Sequence, residues 1–289
     1  MNQGIRNAWG VLACACGALT TLVHAQPFAP GQPLDAQSEA TALPPLRVNP
    51  DAQARWVLGM AVTSSPTRAG ASDRSVGLRP VVAGQVGRWM LATSSARSLS
   101  GGSISGGAST QWAATDRWKL GVGFRLTHGR DSADDPWLSG MPDVRRSLAM
   151  RLSAGYALSE RWSANVGWQQ DLLHQQGGRA TLGLGWQYPV GDRWVLDASL
   201  GTTWANARAM QTFYGVTAAQ STASRPAWSP GSGWEQWHWG LGASKALDRH
   251  WRVSAQVGQG RLLGAAGASP LTLSRLSTTG QLMVAYVGW

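Results

Sequence analysis

Apolar and polar residues alternate along most of this chain with a period of two, which is the period of a β-strand. After Trp118, Leu120 and Phe124 share one face, whereas Lys119 and Arg125 fall on the opposite face. Similar runs recur up to the last residue. We predict twelve strands, at approximately 55–64, 75–86, 88–95, 103–114, 118–128, 146–157, 162–170, 178–188, 194–204, 235–247, 251–262 and 279–289.

Six of these runs open on a tryptophan that directly follows a basic residue. An indole is stable where hydrocarbon meets lipid headgroups, and a neighbouring arginine can keep its guanidinium in water. A single such pair would also fit a partly buried tryptophan on a soluble sheet, but six pairs in one phase favour a face that contacts lipid. The predicted membrane-interface girdle is Trp56, Trp89, Trp118, Trp162, Trp194 and Trp251.

The connections between the predicted strands alternate between short and long. The short ones precede the basic-tryptophan pairs, and the longest of the others runs from Ala205 to Trp234. Downstream of the N-terminal segment no run of about 18 apolar residues occurs, so we expect strands rather than helices to cross the membrane. The predicted fold is all-β: a transmembrane antiparallel β-barrel of about 12 strands, with short periplasmic turns and long outer loops.

Residues 1–25 have the pattern of a secretory signal peptide: a basic start at Arg6, an apolar stretch, and a small-residue site that ends at Ala25. We expect cleavage after Ala25 and export to the Gram-negative outer membrane. A lipoprotein site at Cys14 is the weaker alternative, because the apolar stretch before it is short. Both cysteines lie in this signal, so the mature chain would hold no disulfide. Residues 26–54 are rich in proline and predict a flexible periplasmic segment, and 55–289 the barrel.

The formal net charge of +10 is carried almost entirely by arginine, since Lys119 and Lys245 are the only lysines. A basic surface suits contact with outer-membrane lipid, lipopolysaccharide or peptidoglycan. No nucleic-acid-binding module accompanies the charge, so we expect no nucleic-acid partner. Trp289 closes the last predicted strand, and a terminal aromatic there looks like the recognition signal of bacterial outer-membrane barrels.

The predicted inward face carries basic residues, accompanied by His238 and one clear acid, Asp197. Two interpretations stay open. Basic side chains could form a lumen that passes or holds anions, or the interior could be packed by hydrogen-bonded side chains, which we favour because small barrels are filled by their side chains. Inward glycines such as Gly121 and Gly240 leave space and favour the first. The predicted basic lumen residues are Lys119, Arg125, Arg151, Arg179 and Arg252.

Two outer loops hold further candidates. His128, Asp131, Asp134 and Asp135 bring an imidazole and carboxylates together in the third outer loop, where such groups could activate water. No nucleophile spacing accompanies them, and we predict neither catalysis nor a bound metal or other cofactor. The loop 205–234 is too long for a simple connection. It could be a plug that stabilises the barrel or a surface for a ligand or partner, and the sequence does not separate these.

Two loop segments resemble a known family more specifically. The run from Met210 to Gln220 looks like the most recognisable loop of the MltA-interacting protein / OmpV family, and Arg261 to Gly264, followed by Ala268 to Pro270, is similar to that family's segment near the end. The resemblance extends from about Arg55 to Trp289. The first outer loop departs from it, because Thr67 to Asp73 lacks the aromatic and acidic character usual there.

This resemblance implies an outer-membrane barrel whose named member is a scaffold that joins a lytic transglycosylase to a peptidoglycan synthase. We therefore expect a non-enzymatic adaptor for peptidoglycan synthesis and remodelling, with those two enzymes as candidate partners. The alternatives are a porin-like channel for small or anionic solutes and, less favoured, a hydrolase at the outer rim.

Overall fold

The computed structural model describes residues 56–93, 96–97, 103–104, 107–127, 129–132 and 135–288. The predicted signal peptide, the proline-rich segment and Trp289 lie outside the described residues. They therefore stay predictions.

Twelve antiparallel strands close into a barrel, which confirms the predicted fold class. Each barrel strand pairs with its neighbours in chain order, and the first and last strands pair over nine positions, from Trp56 with Gly288 to Ser64 with Gly280. The barrel strands are β1 (Trp56–Pro66), β2 (Arg74–Val86), β3 (Trp89–Ala92), β6 (Gly107–Ala113), β7 (Trp118–Thr127), β8 (Ser147–Ala157), β9 (Trp162–Asp171), β10 (Gly178–Val190), β11 (Trp194–Ala205), β12 (Gly233–Ala246), β13 (Trp251–Leu262) and β14 (Leu276–Gly288).

The region between β3 and β6 differs from the sequence prediction. Two short strands, β4 (Ala96–Arg97) and β5 (Ser103–Ile104), pair with each other outside the barrel, so the predicted strand 103–114 begins only at Gly107. Gly107 has a φ of 112°, and a Cβ there would lie 2.1 Å from the carbonyl oxygen of Phe124. Only glycine allows this positive φ and this close approach to β7.

Side-chain oxygens organise three of the five short turns. Thr115 Oγ1 accepts hydrogen bonds from the backbone N–H groups of Arg117 and Trp118, and Ser159 Oγ accepts them from Arg161 and Trp162. Asp248 accepts hydrogen bonds in the same way from the N–H groups of His250 and Trp251, and these donors lower the pKa of its carboxyl. These three turns are therefore encoded by a Ser, Thr or Asp three residues before a tryptophan.

The outer face of the barrel is apolar and the inner face is mostly small or polar. Along β11, Leu196 and Leu200 are exposed on the outside, whereas Asp197 and Ser199 are buried on the inside. Apolar side chains in the same outward phase occur around the wall, as membrane-spanning strands require. They include Leu58, Met60, Val62, Leu78, Phe124, Leu152, Val166, Leu182, Leu184, Leu241, Val257, Leu282 and Val284. No helix in the described part of the chain is long and apolar enough to span a membrane.

An aromatic cluster stabilises the seam where the barrel closes. Tyr286 on β14 stacks against Trp56 of β1 at 5.4 Å between ring centroids and against His250 at 5.0 Å. Trp251 of β13 meets the same ring edge-on at 5.3 Å. Aromatic pairs of this kind contribute about 0.5–1.5 kcal/mol each beyond the area they bury. Tyr286 thus links the first strand to the last two.

Candidate functional site

The six predicted girdle tryptophans lie at one level of the barrel. Five of them are the first residue of a strand that follows a short turn, and Trp56 is the first residue of the first strand. Each is 39–49% exposed on the outer face. Basic side chains reinforce this level, because Lys245 lies over the ring of Trp194 at 5.0 Å and Arg161 over that of Tyr188 at 4.6 Å. The level marks the short-turn rim of the barrel.

A second group of tryptophans lies towards the long-loop end, and the sequence prediction missed it. Trp168 and Trp204 pack together on the outer face at 6.5 Å between ring centroids, and Trp234 is paired with Trp204 in the sheet. Trp168 and Trp204 share the outward phase of their strands, whereas Trp234 faces outward only because the register of β12 shifts beside it. The phase could have revealed Trp168 and Trp204, since the lipid-facing band of an outer-membrane barrel is flanked by aromatic residues at both interfaces.

The five predicted lumen cations all lie on inward strand positions. Lys119 and Arg125 are on β7, Arg151 is on β8, and Arg252 is on β13, where it belongs to the wall diametrically opposite β7. Arg125 is only 7% exposed. Inward positions also hold Arg79 of β2, which the sequence prediction did not name, together with Asp197 and His238.

The fifth lumen cation, Arg179 on β10, is tied to an acid that the sequence prediction missed. Arg179 Nε donates to Glu235 Oε2 at 2.8 Å, and Glu235 is 6% exposed. Glu235 is the extra residue of a β-bulge in β12, where the register with β11 shifts between Thr203 and Trp204. The bulge turns this carboxylate inward against the alternation of the strand, which is why periodicity did not find it.

The Arg179–Glu235 pair anchors the long fifth loop. Helix α1 (Ala207–Tyr214) follows β11. Its N-cap is Asn206, whose side chain accepts a hydrogen bond from Ala209 N. At its other end the Tyr214 hydroxyl donates to Glu235 Oε1 at 2.8 Å, and Phe213 covers Arg179 at 4.3 Å. Burial and the Glu235 charge raise the pKa of Tyr214, so this hydroxyl keeps its proton. The loop is therefore fixed to the inner wall.

Contacts between loops extend this anchor into a cap. We define the cap as the described residues of the first, third, fifth and sixth outer loops (67–73, 129–132 with 135–146, 206–232 and 263–275). Arg68 forms a 2.6 Å ion pair with Asp135, and Trp137 Nε1 donates to the carbonyl of Pro270 at 3.1 Å. The third and sixth loops join β7 to β8 and β13 to β14, which are opposite sides of the barrel. Their contact therefore runs across the outer mouth.

The cap has apolar cores of its own. One combines Met210 and Tyr214 of α1 with Leu262 and with Ala266 of the short helix α2 (Gly264–Gly267). The other is formed by Leu138, Met141, Val216 and Leu271, with Trp228 packed against it. Of the two interpretations of the loop 205–234, the geometry is that of a packed plug.

Buried arginines bind the loop backbones together inside the cap. Arg225 donates to the carbonyls of Trp137 at 2.6 Å and Ser139 at 3.0 Å, and Arg130 donates to that of Phe213 at 3.1 Å. Burial, together with the nearby charge of Arg68, lowers the pKa of Arg130 to about 10. The guanidinium is still protonated at neutral pH and can hold the third loop against the fifth.

Of the predicted group in the third loop, Asp135 makes structural contacts, as does the neighbouring Asp143. Asp135 pairs with Arg68 and accepts a hydrogen bond from Trp137 N, and Asp143 accepts two from Ser132. His128 and Asp134 lie outside the described residues. Among those described, no group of three or more His, Cys, Asp or Glu is placed to hold a metal.

The two loop segments with family resemblance meet inside the cap. Met210 packs with Leu262, and Ser269 Oγ donates to the carbonyl of Tyr214 at 2.6 Å. Residues 58–288 match the family described as MltA-interacting protein MipA. The chain belongs to this family. As a MipA family member with a closed twelve-stranded wall, it is an outer-membrane β-barrel, and we place its short turns on the periplasmic side.

Solved barrels are similar to this MipA family member only distantly, and no curated protein matches it. An outer membrane channel from Pseudomonas putida F1 is 11% identical, with 91% of this chain and 99% of that chain covered and a TM-score of 0.42. The Ralstonia pickettii toluene transporter TbuX is 13% identical, with 81% and 88% covered and a TM-score of 0.37. An anion-selective porin from Comamonas acidovorans is 8% identical, with 82% and 99% covered and a TM-score of 0.39.

Proposed function

We propose that this MipA family member is a non-enzymatic outer-membrane scaffold that recruits a lytic transglycosylase and a peptidoglycan synthase to its periplasmic rim. The observation that carries the proposal is the cap, because loops joined across the outer mouth favour a structural role over an open passage. The family is described as MltA-interacting, and a lytic transglycosylase is the partner that this description suggests. Cleavage after Ala25 would leave residues 26–54 on the same side as the rim, as a second docking element.

The chemistry of the rim suits protein docking. Its turns expose acid and base side by side, as in Asp116 with Arg117, Glu160 with Arg161, and Asp192 with Arg193. Exposed charges of both signs select partners by complementarity, although each contributes little affinity alone. Lipid and lipopolysaccharide would contact the apolar wall and its girdles rather than this rim.

Site-specific crosslinking in whole cells would test the scaffold. A photoreactive residue at position 160, in the turn between β8 and β9, is expected to crosslink to a lytic transglycosylase identified by mass spectrometry. The matched control is position 221, which is equally exposed but lies in the fifth outer loop. No transglycosylase adduct from the turns of a well-expressed barrel, or equal adducts from both positions, would contradict the proposal.

A porin-like channel is the second candidate, and the inward cations favour it. In that case the cap must move, so Glu235→Ala is expected to increase conductance in planar bilayers relative to the natural protein, because the fifth loop loses its buried anchor. Arg208→Ala removes an exposed arginine from the same helix and should leave conductance unchanged. Bilayers that stay silent with both the natural protein and Glu235→Ala would rule out this function.

A further inference from the structure

A cavity lies against the inner wall formed by β6, β7, β8 and β9, at the short-turn end of the barrel. Its volume is about 60 Å³, which on the scale of about 10–15 Å³ per water corresponds to a few water molecules. Gly121, Gly155 and Gly167 have no side chains, so this part of the wall leaves space for the cavity. The inward side chains that line the cavity are Gln111, Lys119, Arg151, Ser153, Ser163 and Asn165.

Three cations line this cavity, namely Arg117 of the exposed short turn and the inward Lys119 and Arg151. Lys119 is in register with Gly155, close to the rim, whereas Arg151 is in register with Gly123, further from it. Arg151 nevertheless reaches back towards the cavity, since its Nε lies 3.9 Å from where a Cβ of Gly167 would be. The ammonium of Lys119 and the guanidinium of Arg151 therefore border one small space from the inward side, with Arg117 at its rim, and none of the described lining residues is acidic.

Polar groups complete the lining. Ser163 is 5% exposed, and its Oγ is buried without a hydrogen-bond partner among the described residues. A buried hydroxyl of this kind is normally satisfied by water or a ligand. Asn165 and Gln111 supply amide donors on either side. Positive charge combined with neutral donors is the chemistry that binds carboxylate and phosphate groups.

We propose that this cavity is a binding site for a small oxyanion, either a phosphate or the carboxylate of a small solute. Lys119 and Arg151 supply the charge, and Ser163 with the flanking amides fixes the oxygen atoms. The size of the cavity limits the ligand to a few heavy atoms. Binding here requires neither recruitment of cell-wall enzymes at the rim nor conductance through the cap, so its test is separate from theirs.

The lysine content of the chain allows a direct test on the intact barrel. Lys119 lies in the lumen, whereas Lys245, the other lysine, lies on the outer face over Trp194. Reductive ¹³C-methylation of the purified mature protein in neutral detergent labels both lysines and the N-terminal amine. Titration with inorganic phosphate or with acetate is expected to shift the Lys119 methyl signal and leave that of Lys245 in place. Lys119→Arg assigns the signal by removing it, and the two anions distinguish the phosphate from the carboxylate source.

Charge-removing variants locate the site. Arg151→Gln is expected to weaken anion binding about tenfold, measured from the Lys119 shift or by calorimetry. Arg252→Gln removes an inward charge near the same rim on the opposite wall and should change affinity less than about twofold, because salt screens charges across the lumen. Heat-dependent gel migration confirms that each variant is folded.

Three results would overturn the proposal. One is an unchanged Lys119 signal in the natural protein at millimolar anion, which needs no variant to interpret. The second is an equal shift with sodium chloride at matched ionic strength. The third is equal weakening by Arg151→Gln and Arg252→Gln, which would assign anion binding to the general positive potential of the lumen.

Discussion

Glu235→Ala is expected to destabilise the barrel by about 3–5 kcal/mol, because it leaves the Arg179 guanidinium and the Tyr214 hydroxyl without the buried carboxylate that satisfies both. Unfolding by urea in lipid vesicles, followed by tryptophan fluorescence, would measure the change. Trypsin cleavage after Arg68 should accelerate as well, since that arginine is buried in the intact cap.

Two further variants make this result specific. Tyr214→Phe removes only one hydrogen bond to Glu235 and should cost about 1.5–3 kcal/mol, because the acceptor is charged. Arg208→Ala removes an exposed side chain of α1 that contacts Gln175, and it should change stability by less than about 0.5 kcal/mol. If Glu235→Ala were no more destabilising than Arg208→Ala, the anchor would not hold the cap.

Leu200→Arg is expected to destabilise the barrel by about 2–4 kcal/mol, the cost of an arginine at the lipid midplane of an outer-membrane barrel. Leu200 lies in the middle of β11 on the outer face and is 52% exposed there. Reversible unfolding in vesicles would measure the free energy. The effect arises only if this face contacts hydrocarbon, because an exposed leucine in water tolerates arginine.

Leu196→Arg is the matched control on the same strand and face. Leu196 is two residues from Trp194, at the level of the girdle, so the arginine can reach water and the cost should fall to about 0–1 kcal/mol. Equal costs at both positions would contradict the assignment of the tryptophan level to a membrane interface.

The barrel strands could be predicted from the sequence because their cause is local. A strand with one face in lipid and one in the lumen must alternate between apolar and polar residues. The residue types of Leu200 and Ser199 therefore indicate which face each occupies, independently of the rest of the chain. The prediction was weakest between β3 and β6, where β4 and β5 leave the barrel.

The cap could not be predicted because its contacts join distant parts of the chain. Arg68 meets Asp135, and Trp137 meets Pro270; no periodicity links such pairs. Arg179 lies on an inward position of β10, yet its partner Glu235 reaches the lumen through a bulge that breaks the pattern of β12. The small cavity beside Lys119 depends on glycines in three strands, and only the register brings them together.

The recurrent short turns make the wall modular. A hairpin that begins at Ser159 or Thr115 carries the hydroxyl that folds its own turn, the arginine that faces water and the tryptophan that sets its depth. No part of that unit depends on the cap. Strands could therefore be added or lost two at a time in the course of evolution. The tryptophan and arginine of each inserted pair would fix its position across the bilayer, while the outer loops diverged independently.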